Sequence, residues 1–468
     1  MLMTLDEILG GQIKDLIRHK YFEGKAGKSQ LLIVHPQQAF ERLLLIGVGK
    51  SKEFTLDILR KAAGLAGQRG TENKTATVGF IMPELRGIKG ITSEQAAQAT
   101  VEGVNLGSYF LDTFRSGEKE RSKPAKLSLL VSSKSEIGKA QSGAKIGLIV
   151  SDMQNYCRDL SGYPSNVLTP GYLANEARRL GRQHGLKVQV FGRSQIEKLK
   201  MGAFLAVAKG SAEEPKLIRI DYVPRGKAKK RVILVGKGIT FDTGGITLKP
   251  GADMHEMKGD MTGAAAVLGS MVALAQLKPR TQVTGFIPTC ENMPGSRAFK
   301  PGDVLTTCIG KTIEVISTDA EGRLLLADVL GYAAKMKPDY LIDIATLTGA
   351  VIVALGHVGA AMLSTSDDLL KRANAASNAT GEKLWQLPLW QEFEHQIKSS
   401  IADIKASGGK PGGTITASLI LKKFVGDVPW MHLDIAGMDI EFRGYEYMPK
   451  GPSGFGVRLL TEMLCRME

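Results

Sequence analysis

Apolar runs of strand length, separated by polar and glycine-containing stretches, recur along the whole chain. Within residues 1–150, four of them predict strands: Leu31-Leu32-Ile33-Val34, Leu43-Leu44-Leu45-Ile46-Gly47-Val48-Gly49, Ala76-Thr77-Val78-Gly79-Phe80-Ile81 and Leu127-Ser128-Leu129-Leu130-Val131. Gln95 to Phe114 predicts a helix between the last two, so residues 1–150 read as a small α/β domain. Gly143 to Asn155 begins the connection to a second domain, 151–468. Thr169 before Pro170 predicts an N-cap with proline at the first helical position. Val188 to Phe191 predicts a strand and Arg193 to Met201 a helix. Lys216 to Val223 and Arg231 to Val235 are expected to pair as neighbouring strands. Ala264 to Leu277 predicts a helix, Gln282 to Pro288 a strand, Thr312 to Ser317 another strand, and Leu324 to Met336 the helix after it. The most apolar stretch, Tyr340 to Leu363, is interrupted by Asp343, His357 and several glycines, which predicts a buried strand and loops, not a membrane span.

Composition narrows the class. At 468 residues the chain can bury two cores, and 43% hydrophobic with 23% charged residues is a globular balance. Cys157, Cys290, Cys308 and Cys465 form no CxxC and no short framework, so reduced thiols of an intracellular protein are expected. Met1 to Glu7 has no basic n-region followed by a long apolar run, so no secretory signal is predicted there. The net charge is +14, and residues 1–150, with 22 Lys/Arg against 15 Asp/Glu, hold half of the excess. That charge leaves nucleic acid open as a partner, although no base-reading motif accompanies it. The basic run Arg225-Gly226-Lys227-Ala228-Lys229-Lys230-Arg231 reads as a solvated turn.

The chemistry concentrates in three segments of the second domain. Ser317-Thr318-Asp319-Ala320-Glu321-Gly322-Arg323-Leu324 sets two carboxylates two residues apart, followed by glycine and a guanidinium. If the strand ends there, the two acids point the same way and can share a metal, and Arg323 can hold an anion beside it. Upstream, Val235 to Lys249 carries Lys237, Asp242, Gly244-Gly245 and Lys249, and Met257 to Ala265 carries Asp260. In an open α/β sheet, ligands bind beyond the carboxyl ends of strands, where Asp242, Asp260, Asp319 and Glu321 would converge. Four such carboxylates repel one another unless cations neutralise them, and two divalent ions balance the charge.

Together these segments resemble the signature of the leucyl aminopeptidase family, the cytosolic dinuclear-metal aminopeptidases. Ser317 stands where that family usually has Asn, and Thr243 where Ser is common. Further blocks follow in family order: Gly412 to Ala417, Pro429 to Gly437 and Gly451 to Arg458. The resemblance implies an α/β fold with a small N-terminal α/β domain and a larger C-terminal catalytic domain, its mixed central sheet flanked by helices. It implies that Asp242 and Glu321 bridge two divalent ions, Mn or Zn. Asp319 with a backbone carbonyl would complete one site, and Lys237 with Asp260 the other. It implies hydrolysis of the first peptide bond of peptides with a free N-terminus, Lys249 stabilising the oxyanion and Arg323 holding a bicarbonate base. The family's pocket positions map onto Met257, Thr346, Gly349 and Ala436, which favours leucine-like and methionine-like residues. Asp439, however, falls where relatives carry an apolar residue, which leaves room for basic ones. A cytoplasmic homohexamer is implied as well.

Two rival readings have weaker support. A metal-dependent phosphohydrolase would also use carboxylates, glycines and lysines. A nucleotide site fails on detail: Gly310-Lys311-Thr312 ends like a Walker A loop, but Leu305 stands where its glycine belongs. A nucleic-acid-binding protein that merely retains the peptidase fold has little reason to keep all five ligand positions, Lys249 and Arg323.

Overall fold

The computed structural model of the protein describes residues 2–34, 40–85, 87–88, 90–117 and 122–467. Four of the N-terminal basic residues, Arg86, Lys89, Lys119 and Arg121, lie outside the described residues. The chain divides into two compact units: Met1–Asp152 with Phe442–Lys450, and Met153–Glu441 with Gly451–Glu468. The first unit thus recruits a short segment from near the C-terminus, for which the sequence carried no signal.

In the first unit, helices α1 (Leu2–Ile8) and α2 (Gln12–Arg18) precede strands β1 (Ser29–Ile33) and β2 (Arg42–Ile46). Helix α3 (Leu56–Glu72), strand β3 (Thr77–Ile81), helix α4 (Ser93–Gly107) and strand β4 (Lys126–Leu130) follow. The first strand pair is antiparallel and the second parallel. The predicted helix is shorter than expected because it stops at Gly107; its start is fixed by a capping box between Thr92 and Gln95. Helices α3 and α4 approach closely through glycines: a Cβ on Gly107 would lie 2.3 Å from Gly64 O. Helix α5 (Ile137–Gly162) then carries the chain across the division point.

In the second unit, helix α6 (Pro170–His184) starts as predicted, with Thr169 Oγ1 accepting from Tyr172 N at 3.2 Å. Strands β5 (Lys187–Phe191), β6 (Lys216–Tyr222), β7 (Arg231–Gly236), β8 (Gly238–Asp242) and β9 (Gln282–Asn292) come next, with helices α7 (Arg193–Lys198), α8 (Gly202–Val207) and α9 (Thr262–Leu277). Strands β10 (Val304–Thr306) and β11 (Thr312–Glu314), helix α10 (Glu321–Ala334), strand β12 (Tyr340–Ala345), helix α11 (Gly349–Leu355) and strand β13 (Ala360–Ser364) follow. Helix α12 (Asp367–Thr380), strands β14 (Leu384–Gln386) and β15 (Ile404–Lys405), helix α13 (Gly413–Lys422), strand β16 (Trp430–Asp434) and helix α14 (Val457–Cys465) complete the unit. Among the described residues the central sheet has nine strands, in the order β14-β13-β16-β12-β7-β9-β6-β5 with β8 beside β9. It is mixed: β9, β7, β12 and β16 run parallel, while β6 pairs antiparallel with both β5 and β9.

Three expectations change. β6 and β7 do not pair, because β9, eleven residues long and buried along nearly its whole length, lies between them. Buried, largely apolar strands carry no label of their neighbour, so sequence adjacency misled. The predicted strand to Ser317 stops at Glu314, a 3-10 turn spans Thr318–Ala320, and α10 begins at Glu321. The stretch Tyr340 to Leu363 is strand, helix and strand, so it contains α11, which the sequence reading did not foresee. Among the described residues one helical stretch, Met254–Leu277, has the length and apolarity of a membrane span, and 78% of its most apolar 18-residue window is buried inside the protein. There, α9 is a core helix between the sheet and α14, where each fully buried Leu or Val contributes about 1.5–3 kcal/mol.

Candidate metal centre

Each acid of the centre is delivered by the end of an element. Asp242 is the last residue of β8, Asp260 ends the 3-10 helix Met254–Gly259, Asp319 sits in the Thr318–Ala320 turn, and Glu321 opens α10. Ligand atoms of Asp242, Asp319 and Glu321 lie within 4.8 Å of one another. Asp260 stands on the far side of Lys237, whose Nζ is 2.8 Å from Asp260 Oδ1, 2.8 Å from Glu321 Oε1 and 2.9 Å from Thr346 O. Lys249 Nζ is 3.0 Å from Asp242 Oδ2 and also contacts Asp319. The two acids of the octapeptide do converge, but on a turn and a helix start rather than at a strand end.

Local sequence makes this possible. A side chain on Gly322 would strike Lys237, its Cβ only 2.7 Å from Cε, so only glycine lets the lysine cross the first turn of α10. Gly244 and Gly245 have φ of +83° and +69°, and the loop they begin closes with Lys249 N donating to Thr243 O at 2.9 Å. Thr318 Oγ1 donates to Gly244 O at 2.6 Å and accepts from Thr247 N at 2.7 Å, which ties that loop to the Asp319 turn.

Four carboxylates share two ammonium groups, so positive charge falls short of ionising all four. Burial, with the Glu321 carboxylate next, pushes Asp242 up to about 6. Burial raises Asp260 well above the usual range despite the pull of Lys237, and raises Asp319 too. Burial alone would raise Glu321, but Lys237 and Lys249 outweigh it and hold that carboxyl low. Lys237 is the converse: burial works against its charge, yet Asp260, Glu321 and Asp242 hold the amine well above its ordinary value. Glu321 Oε2 and Asp260 Oδ2 are buried with no hydrogen-bond partner in the protein. Buried oxygens left without donors are costly, and hard divalent cations are the partners that oxygen-rich sets of this kind accept. The donor set therefore fits a metal centre.

Arg323 is buried, donates from one terminal nitrogen to Ala406 O at 2.8 Å, and leaves Nε without a partner. Of the pocket candidates, Thr346 is drawn directly into the centre, its Oγ1 2.7 Å from Asp260 Oδ1. Met257 is half-buried and its carbonyl accepts from Asp260 N at 3.3 Å. Gly349 is exposed at the start of α11, and Ala436 is half-buried just beyond β16. Among the histidines, His255 is exposed, while His432 is buried with Nδ1 2.6 Å from Asp343 Oδ1.

Sequence reasoning missed Asn292. Its Nδ2 donates to Asp242 Oδ1 at 2.8 Å and to Thr318 O at 3.0 Å, so it joins β8 to the Asp319 turn. An amide closing a long buried strand was the available signal.

The model of the cytosol aminopeptidase family, catalytic domain, matches residues 155–461, and that of the family's N-terminal domain matches residues 3–118. A probable cytosol aminopeptidase of Geobacter sp. (strain M21) is 45% identical over 98% of this chain and 93% of its own length. One from Geotalea uraniireducens (strain Rf4) is 42% identical over 98% of this chain and 92% of its own length. Among solved structures, the bottromycin maturation enzyme BotP in complex with Mn superimposes with a TM-score of 0.88 at 34% identity, covering 96% of this chain and 95% of BotP. With both family domains matched and relatives aligned over nearly its whole length, the chain belongs to the cytosol aminopeptidase family, a family of metal-dependent exopeptidases.

Proposed function

We propose that this protein removes the N-terminal residue from peptides at a two-metal centre held by Lys237, Asp242, Asp260, Asp319 and Glu321. The observation that carries this reading is the pair of buried, partnerless carboxylate oxygens beside the Asp242–Asp319–Glu321 cluster. Two divalent ions bound there, Mn or Zn, would supply Lewis acidity and a water of lowered pKa. Manganese has the added support that BotP is described in complex with it.

The chain's own residues divide the remaining work. Lys249 is partly exposed at the centre, so its ammonium can donate to the substrate carbonyl as negative charge develops on that oxygen. Lys237 bridges Asp260 and Glu321 as an ammonium and must give up its proton to act as a ligand. Arg323, with Nε free, is the residue we assign to a small oxyanion, and bicarbonate held there would supply a base. Met257, Thr346, Gly349 and Ala436 are proposed to line the side-chain pocket. Residues 1–150 are proposed as a domain of assembly or access in a cytoplasmic homohexamer, which light scattering would show as six times the 50.4 kDa chain mass. Binding of nucleic acid by the basic N-terminal third is a separate proposal, removed if no mobility shift of DNA occurs at low salt.

The direct test is hydrolysis of leucine-p-nitroanilide and its Met, Lys and Arg counterparts by metal-stripped protein, with Mn or Zn restored, beside Asp242→Ala. Activity that returns with metal and is absent in the variant is the expected result. No turnover of any of the four with either metal would overturn the reading.

A further inference from the structure

The turn that follows β16 ends in an acid that the proposed reaction does not use. Asp439 Oδ1 accepts from Gly437 N at 3.0 Å, and Gly437 sits at φ +81° with no room for a side chain: a Cβ there would lie 2.9 Å from Ile352 Cγ1. The turn is thus packed in place, and it points the second oxygen, Oδ2, at Gly259, 3.4 Å from where a Cβ would stand. Gly259 immediately precedes Asp260, which Lys237 and Thr346 hold in the metal centre. No lysine or arginine among the described residues pairs with Asp439. Two ionisable side chains act on Asp439 in opposite senses: His357, whose Nδ1 lies 2.8 Å from Gly437 O, and Glu256, half-buried on the same 3-10 helix as Met257, with the exposed His255 3.3 Å from Glu256.

We infer that Asp439 is the specificity-determining residue of the side-chain pocket and selects peptides whose N-terminal residue is lysine or arginine. This inference rests on the aminopeptidase reading above. A lysine or arginine side chain combines an apolar stem with a charged end. Met257 and Ala436 offer apolar surface for the stem, and Asp439 Oδ2 offers the charge that the end requires. A leucine or methionine side chain in the same space would leave that buried carboxylate without an opposite charge. At Gly259 a Cβ would meet Oδ2 at 3.4 Å, an ordinary contact, so Oδ2 lies directly against the residue that precedes Asp260.

The experiment uses the metal-loaded full-length protein with Lys-, Arg-, Leu- and Met-p-nitroanilide, and compares wild type with Asp439→Asn and Asp439→Met. Asparagine keeps an oxygen for Gly437 N and removes only the charge. The expected result is a wild-type kcat/KM about tenfold or more higher on Lys and Arg than on Leu and Met. Asp439→Asn should erase that preference by lowering Lys and Arg turnover relative to Leu and Met, and Asp439→Met should invert it. A wild type that favours Leu and Met, or an Asp439→Asn variant that loses activity equally on all four, would overturn the inference. Absence of turnover on any substrate would instead overturn the aminopeptidase reading. A binding readout needs no variant: free L-lysine should raise the thermal midpoint of the wild type more than L-norleucine does, and the reverse order would also overturn the inference.

Discussion

Each unit of this protein buries a cluster of acids and bases, and the two clusters differ in one respect. In the first unit, Arg60 Nε donates to Glu102 Oε2 at 2.8 Å, Gln98 Nε2 donates to Glu102 Oε1 at 2.8 Å, and Tyr447 OH donates to Asp57 Oδ1 at 2.8 Å. The Arg60 guanidinium also faces the Tyr447 ring at 5.9 Å from its centroid. The carboxylates here are saturated by the protein itself, and neither Glu102 nor Asp57 has a buried oxygen without a partner. In the second unit, four acids share two lysines, and Glu321 Oε2 and Asp260 Oδ2 are left bare. Burial of charge is therefore no mark of function by itself. A closed cluster holds a fold together, and an open one waits for a ligand.

The comparison breaks most sharply at its two glutamates. Glu321→Gln should lower kcat/KM by about 10³-fold or more, because a ligand oxygen is lost, and should lower stability as well, since Lys237 loses one of its two buried carboxylate partners. Glu102→Gln should leave kcat on metal-loaded protein unchanged and cost about 3–5 kcal/mol of stability, since the buried ion pair with Arg60 loses its negative member. If Glu102→Gln reduced kcat as deeply as Glu321→Gln, the distinction between closed and open clusters would collapse. Lys249→Met comes next: kcat should fall about 10²–10³-fold with a smaller change in KM, which steady-state kinetics would separate.

Restored metal provides a third handle. At a hundredfold excess over its dissociation constant, an ion that binds only the folded state adds about 2.7 kcal/mol. Calorimetry should show that increment in wild type and in Glu102→Gln, but not in Glu321→Gln. An equal increment in all three proteins would place the metal elsewhere.

The two clusters were not equally legible in the sequence. Asp242, Asp319 and Glu321 lie in short segments with apolar runs, glycines and lysines around them, and local spacing was enough to suggest that they meet. The strands β1 to β4 were also visible, as short apolar runs bounded by polar and glycine-containing stretches. The closed cluster was invisible: Arg60, Glu102 and Tyr447 are far apart in sequence, and each looks like an ordinary surface residue until α3 and α4 pack and Phe442–Lys450 joins them. The place of β9 between β6 and β7, and the role of Asn292, were hidden for the same reason. Both depend on which buried strand lies next to which, and strands apolar on both faces do not encode that locally.

The smallest expected effect tests how fully the closed cluster is closed. Tyr447→Phe removes one hydrogen bond to Asp57 and should cost about 1 kcal/mol. Its pH dependence carries the argument. Burial pushes the Asp57 carboxyl up, but Arg60, Lys61 and the Tyr447 hydroxyl together hold it below its ordinary value of 3.8. A depressed folded pKa contributes stability that is fully present above the unfolded pKa and is lost as pH falls through the folded one. Deleting the hydroxyl lets the folded pKa rise toward 3.8, so part of that contribution disappears. Wild type and Tyr447→Phe should therefore differ most in urea denaturation at neutral pH and converge as the pH is lowered past 3.8. A difference that persists unchanged at pH 3 would mean that the hydroxyl acts through packing alone, and that Asp57 is held by Arg60 and Lys61 without it.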